Sequence, residues 1–336
     1  MIIQQKRAAI VWSLLGVIIT AVVCASVGAT HISAIKIFQA VGHVFSNNDV
    51  IPDKGTHLIL FDIRLPRIAL SFIAGAALAP VGAAMQALFR NPMADPYVMG
   101  VSSGASVGAA IAIVSGISAS FGISMSAFTG AMAAILVIYL FGFNSRRFDQ
   151  RTLLLTGIAM SMMFSSIVSL LIAMNRDNVE GIIFWTMGGF NAASWQQVVS
   201  TGIPVSVGLV FLVIWSGRLN ILSMGNDTAY SLGIPVKLTT FLVLFISALM
   251  VAFVVSASGV IGFAGLIIPH ISRLLLGSDN RILIPFSALA GGWFVMVCDT
   301  LARTIAIPVE LPVGCVTACI GAPYFIWMLL RKKQSQ

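Results

Sequence analysis

Charge is what this sequence has least of. Only 9% of its 336 residues are Asp, Glu, Lys or Arg, where a soluble domain carries roughly a quarter. That scarcity excludes an ordinary soluble enzyme. The uncharged runs it leaves reach about 20 residues, the length that crosses a bilayer as a helix. No GxxxxGK[ST] occurs, so the chain cannot cradle ATP in a P-loop of its own. HExxH, GxSxG and paired Cys/His zinc spacings are absent as well. The four cysteines, Cys24, Cys298, Cys315 and Cys319, lie in apolar runs without a CxxC. They read as small packing residues, not as a disulfide or metal framework. His31, His43, His57 and His270 are scattered, and no metal site is expected from them. No carboxylate falls at the centre of an apolar run, whereas a proton-driven transporter needs an ionisable relay at membrane depth. Asp299 comes closest, near the end of a run and four residues before Arg303, and a local i,i+4 pair is expected there.

What is present is apolar. Hydrophobic residues make up 58% of the chain, and the mean hydropathy is +1.00. The net charge of +8 and pI near 9.7 would suggest nucleic acid in a soluble protein. In a membrane protein the same excess reflects Lys and Arg collected in cytoplasmic loops, and no nucleic-acid motif occurs. Lys6 and Arg7 precede an uncharged run that continues to Thr30. That is too long for a signal-peptide core, and it reads as the first span.

Uncharged stretches then place a second span at 68–89 and two more within 96–145, with a turn near Gly116–Gly122. A fifth lies at 152–175. A sixth lies within 182–217, preceded by the short piece "FWTMGGF". Two more occupy 238–272, broken near "SASG", and the last two lie at 282–298 and 311–330. The expected architecture is an all-α integral membrane protein of about ten transmembrane helices, one domain over 1–336, with both termini cytoplasmic. On that topology thirteen of the nineteen Lys and Arg fall inside, as the positive-inside rule requires. Arg64 and Arg67 of "IRLPRI" and Arg303 fall on the sparsely charged outer side. An arginine at the bilayer centre costs several kcal/mol, so these three are expected where water or a partner reaches them.

Helices in lipid associate by close backbone approach. "GVSSGASVG" sets Gly100, Gly104 and Gly108 at i, i+4 and i+8, a doubled GxxxG, and "GAALAPVG" adds Gly75, Ala79 and Gly82. Pro80, Pro92 and Pro96 are expected to break or kink the helix locally, which makes "RNPMADP" a re-entrant or tightly packed corner.

The runs "RLPR", "GAALAPVGAAMQALFRNPMADPYVMGVSSGASVGA", "LLLTGIAM", "FWTMGGF", "LNILSMGNDTAYSLGIPV", "GVIGFAGLIIPHISRLLLG" and "ELPVGCVTACIGAPYFIWMLLR" follow one another through residues 60–331. In this order and spacing they resemble the FecCD-type permease subunits of ABC importers for iron–siderophores, haem and cobalamin. Met93, Pro80, Cys315 and Cys319 are small departures from that pattern.

The resemblance implies a non-catalytic, homodimeric permease of the bacterial inner membrane. It implies two cytoplasmic ABC ATPase subunits, with ATP and Mg bound there and no cofactor on this chain, and a periplasmic or lipoprotein substrate-binding protein. Lipid is the remaining partner, and nucleic acid is not one. By the same resemblance, Arg64, Arg67 and Arg303 dock the binding protein. Residues 219–236 form the coupling helices on the ATPase, with Met224, Gly225, Asp227, Ala229, Leu232 and Gly233 at the contact. Asp149, Gln150 and Arg151 stand at the cytoplasmic gate. The cargo implied is a ferric siderophore or similar metal chelate, with haem, cobalamin or an oxyanion such as molybdate as alternatives. An ion-coupled secondary transporter is the alternative of another class; it would need an inverted repeat with ionisable residues at the midplane, and neither is visible.

Overall fold

Small residues decide the centre of the bundle. In the computed structural model, which describes residues 2–28, 32–45, 54–142 and 150–334, the most enclosed helix is α4 (Leu65–Leu88). Before it the chain runs through α1 (Ile2–Ser26), α2 (Ala34–Phe45), α3 (Lys54–Leu58) and a π-helical turn, Ile59–Arg64, that enters α4 without a break. A π-turn inside a helix marks a local irregularity often associated with function. The consequence here is that Arg64 and Arg67 lie within a continuous helical rod, Gly55–Leu88, and not at its mouth as the uncharged run alone suggests. The helix continues through Pro80.

The remaining order is a 3-10 turn Pro96–Met99, α5 (Val101–Val114), α6 (Ser120–Gly142), α7 (Gln150–Met174), a 3-10 turn Arg176–Asn178, α8 (Val179–Met187), α9 (Trp195–Ser223), α10 (Asn226–Ser231), α11 (Val236–Ser258), α12 (Ala264–Leu276), α13 (Asn280–Ala302) and α14 (Val313–Gln334). No strand occurs among the described residues. Among the described residues, six helices are long and apolar enough to cross a membrane: Gly55–Leu88, α6, α7, α9, α11 and α13. Four shorter apolar helices lie within α1, α5, α12 and α14. The sequence-based breaks near Gly116 and "SASG" coincide with the α5–α6 and α11–α12 connections.

Helix α4 packs on α13, α9, α12 and α11. It runs antiparallel to α13, with Arg67 opposite Asp299 at one end and Gly75 against Gly291 two turns further in. A Cβ on Gly75 would strike the Gly291 backbone, and one on Gly82 the Gly265 backbone. Only glycine permits such approach, and the close approach lets dispersion contacts hold helices that hydrophobic burial cannot join in lipid. Gly104 and Gly108 press on Gly130 and Ser126 across the α5–α6 contact in the same way. Gly100 differs from the doubled GxxxG expected of it. It caps α5 in the left-handed region, φ +67°, and faces Gly157 and Ser161 of α7.

Helices α5 and α12 have 14 and 13 residues, about 20 Å at 1.5 Å per residue, short of the roughly 30 Å hydrocarbon core. The first turn of α12 meets the 3-10 turn that precedes α5, where the Pro96 ring abuts Gly265. The Tyr97 hydroxyl donates to the Ile261 carbonyl at 3.0 Å and accepts from the Ile261 N–H at 3.2 Å. One side chain thereby satisfies both polar groups of a residue in the non-helical stretch between α11 and α12. Irregular backbone at membrane depth is tolerated only where protein encloses it.

Candidate functional site

The bundle has two ends of different chemistry. At one, three guanidiniums converge. The last turn of α1 leaves carbonyls without intrahelical donors. Arg64 Nη1 donates to the Ala25 carbonyl at 2.5 Å, and Arg303 Nη2 donates to the Cys24 carbonyl. Cations at a helix C-terminus also complement its dipole, so two arginines from distant parts of the chain cap α1. Arg67 turns the other way. Its Nε donates to both Asp299 oxygens at 3.0 and 3.1 Å, with Nη2 2.9 Å from Oδ1, and its Nη1 donates to Glu310 Oε2 at 2.8 Å.

These contacts correct one expectation and refine another. Asp299 does not pair locally with Arg303; its oxygens belong to Arg67, 232 residues away. A residue one helix over with a bidentate fork outcompetes a neighbour whose guanidinium is drawn to the end of α1. The three arginines do gather at one end, but they are 5%, 7% and 8% exposed and are engaged within the chain. Glu310, in the loop before α14, was not singled out by sequence. Its signal was its place in "VELP", three residues before the start of α14 and at the same end as the arginines.

The opposite end gathers Arg90, Arg218, Arg273 and Arg281. Arg273 Nη1 donates to Gln86 Oε1 at 3.0 Å, and Arg218 lies over the Trp215 ring at 4.2 Å. Asn220 joins α9 to α13 through Asp279 at 2.7 Å and the Asn280 N–H at 2.8 Å. Between α9 and α11 the short α10 is set off by two glycines in the positive-φ region, Gly225 at +129° and Gly233 at +75°. Ala229 faces inward and is fully buried, while Met224, Tyr230 and Leu232 are exposed. Asp227 lies in the first turn of α10, the favourable place for an anion, though Gly225 and not Asp227 is the cap. Tyr230, Pro235, Val236, Leu238 and Phe241 line an open apolar groove of about 460 Å³ beside it.

Of the three gate positions, Asp149 lies outside the described residues, and Gln150 and Arg151 open α7. That helix is the barest in the bundle: only 6% of its apolar window is buried, and Leu155, Ile158, Met162 and Leu170 are all exposed. The "FWTMGGF" piece forms α8 and the turn after it, where Val313 N–H bonds the Gly188 carbonyl at 2.9 Å and Gly189 N–H the Ser258 carbonyl at 2.8 Å.

Residues 15–331 match the model of the FecCD transport family. The chain belongs to that family. It is 33% identical over 330 residues to the hemin transport system permease HmuU of Yersinia pestis, covering 96% of this chain and 97% of HmuU. To the cobalamin import system permease BtuC of Halobacterium salinarum it is 40% identical over 272 residues, 81% of this chain and 73% of that one. A solved structure described as a metal-chelate type ABC transporter in an inward-facing conformation superposes with a TM-score of 0.86 at 32% identity, over 97% of this chain and 99% of the other. The FecCD chain is thus a multi-pass permease subunit of an ABC importer, and ATP is hydrolysed by a separate subunit.

Proposed function

We propose that the chain is the membrane half of a homodimeric type II importer that carries a ferric siderophore or similar metal chelate across the bacterial inner membrane. The observation that carries the coupling role is α10. It is about a turn and a half of helix, bounded by positive-φ glycines, that buries Ala229 and presents Tyr230 outward, with Met224 and Leu232 exposed on either side of it. Exposed apolar residues on a surface rimmed by arginine mark a protein partner. A permease without a P-loop needs one that hydrolyses ATP. The α10 end is then cytoplasmic, with the ATPase subunits and their ATP and Mg beneath it. Ten helices cross the membrane, and the arginine end faces the binding protein, which Arg64, Arg67 and Arg303 receive. Helix α7, apolar on all sides and barely buried, supports a second copy facing it, with the pathway between the copies and Asp149, Gln150 and Arg151 at its cytoplasmic close.

The name of the matching solved structure supports a metal chelate as cargo, and the names of the relatives leave haemin, cobalamin and molybdate as its rivals. The test is uptake into liposomes holding the permease, its ATPase and its binding protein. Accumulation of one ferric chelate, dependent on ATP and on both partners, is expected, with no flux from the permease alone along a proton or sodium gradient. Gradient-driven uptake by the chain alone overturns the proposal.

A further inference from the structure

The two carboxylates on Arg67 are not equivalent. Asp299 is enclosed between helices, whereas the Glu310 side chain is 40% exposed and sits on the loop that leads into α14. Of the two partners of Arg67, Glu310 is the one that solvent reaches. The three arginines face two carboxylates, so the cluster keeps an excess positive charge after its internal pairs are counted. Glu310 also borders a cavity of about 160 Å³ between the outer ends of α6, α8, α9 and α11. Asn191 and Gln197 line that cavity with it. Gln197 is 9% exposed, and its buried Oε1 has no hydrogen-bond partner. That oxygen is an acceptor and needs a donor; a water in this polar space supplies one and hydrogen-bonds a carboxylate with its other hydrogen.

We infer that Glu310 is a displaceable latch: an acidic side chain of the docking protein takes its place on Arg67, and Glu310 moves into the Gln197–Asn191 cavity. This rests on the proposed binding-protein docking and names what competes with it. The exchange keeps Arg67 paired throughout, so no buried cation is left alone. Its structural output is α14. Glu310 stands three residues before Val313, whose N–H is tied to the Gly188 carbonyl. Releasing Glu310 frees the loop at the base of α14 while the Gly188 tie holds the turn.

Two readouts on the full chain in nanodiscs test the inference. The first uses Cys315, an exposed free thiol in the first turn of α14. A charged maleimide should label it several-fold faster in Glu310→Gln than in wild type with no partner added. An unchanged rate overturns the latch. The second is association with the substrate-binding protein of the same gene cluster. Glu310→Gln should raise the on-rate by about threefold or more, because steering by a freed cation acts on association, and the difference should vanish near 1 M salt, where screening reaches about 3 Å. A merely structural Glu310 would leave the on-rate equal or lower. Gln197→Leu, which keeps Glu310 on Arg67 but removes the receiving amide, should slow association; an unchanged rate there also counts against the exchange. If the wild type shows no association at all, the docking proposal falls, and the Cys315 labelling still decides the latch.

Discussion

Arg67 holds two carboxylates with one guanidinium, and that geometry fixes what its neighbours are worth. Removing one partner of a buried pair leaves an uncompensated charge and costs about 3–5 kcal/mol. Asp299→Ala should therefore destabilise the detergent-solubilised protein far more than Glu310→Ala, whose side chain is half open to solvent. A double-mutant cycle of Arg67→Ala with Asp299→Ala, read by thermal unfolding, should return a coupling of about 1–3 kcal/mol. A coupling near zero would mean the pair contributes nothing beyond its two desolvation costs. Asp95 makes a separate point at this scale. It caps the 3-10 turn by accepting the Tyr97 N–H at 2.8 Å, and burial pushes its carboxyl from the ordinary 3.8 up to about 6 despite that bond. The folded protein then holds the proton more tightly than the unfolded chain. The stability that Asp95 contributes is fully present below about pH 4 and is lost as pH rises through about 6. Asp95→Asn keeps an acceptor for Tyr97 and should flatten that slope in denaturation measured from pH 4 to 7.

At the scale of the element, the coupling role proposed for α10 can be tested apart from folding. A Cβ on Gly233 would meet no atom of the chain within 4 Å, yet its φ of +75° disfavours any side chain. Gly233→Trp should cost roughly 1–2 kcal/mol in backbone strain and leave the permease inserted, while its bulk falls on whatever lies beneath. Co-purification of the ATPase subunit and ATP-driven uptake should both drop; normal assembly would reduce α10 to an interfacial helix. Elements were also what the sequence made most legible. Every uncharged run became a helix, because a backbone in lipid has no other way to satisfy its polar groups. The "SASG" and Gly116 breaks were visible because glycine alone takes those turns without cost. Three things were not legible. The rod before α4 was missed because the π-turn Ile59–Arg64 carries Asp62 and Arg64, which interrupt hydropathy without interrupting the helix. The Arg67–Asp299 pair was missed because a local i,i+4 partner stood nearer in sequence than the true one across the bundle. Gly100 was read as a packing face because spacing reports periodicity, whereas its φ depends on the turn before it.

For the whole molecule, α4 acts as the axis on which α9, α11, α12 and α13 are laid, and α5, α6 and α7 form a flank joined to it through the Tyr97–Ile261 bonds. The two ends are tied by different chemistry: amides and arginines near α10, and carboxylates and arginines at the other end. Helix α7 and parts of α14 keep apolar residues uncovered, among them Leu155, Met162, Ile326 and Trp327, and the proposed homodimer would cover such surface. The cap on α1 has a further meaning in time. Arg303 is 279 residues downstream of the Cys24 carbonyl it binds. At synthesis rates of about 5–20 residues per second, the end of the first helix waits roughly 15–60 s for its second cap. The earliest helix to enter the membrane is therefore among the last to be fixed in place, held meanwhile by lipid or by the insertion machinery. Cys24, buried in the finished protein, provides the clock. In arrested translation intermediates its thiol should stay open to a small membrane-permeant maleimide until residues beyond Arg303 have emerged, and close abruptly after that.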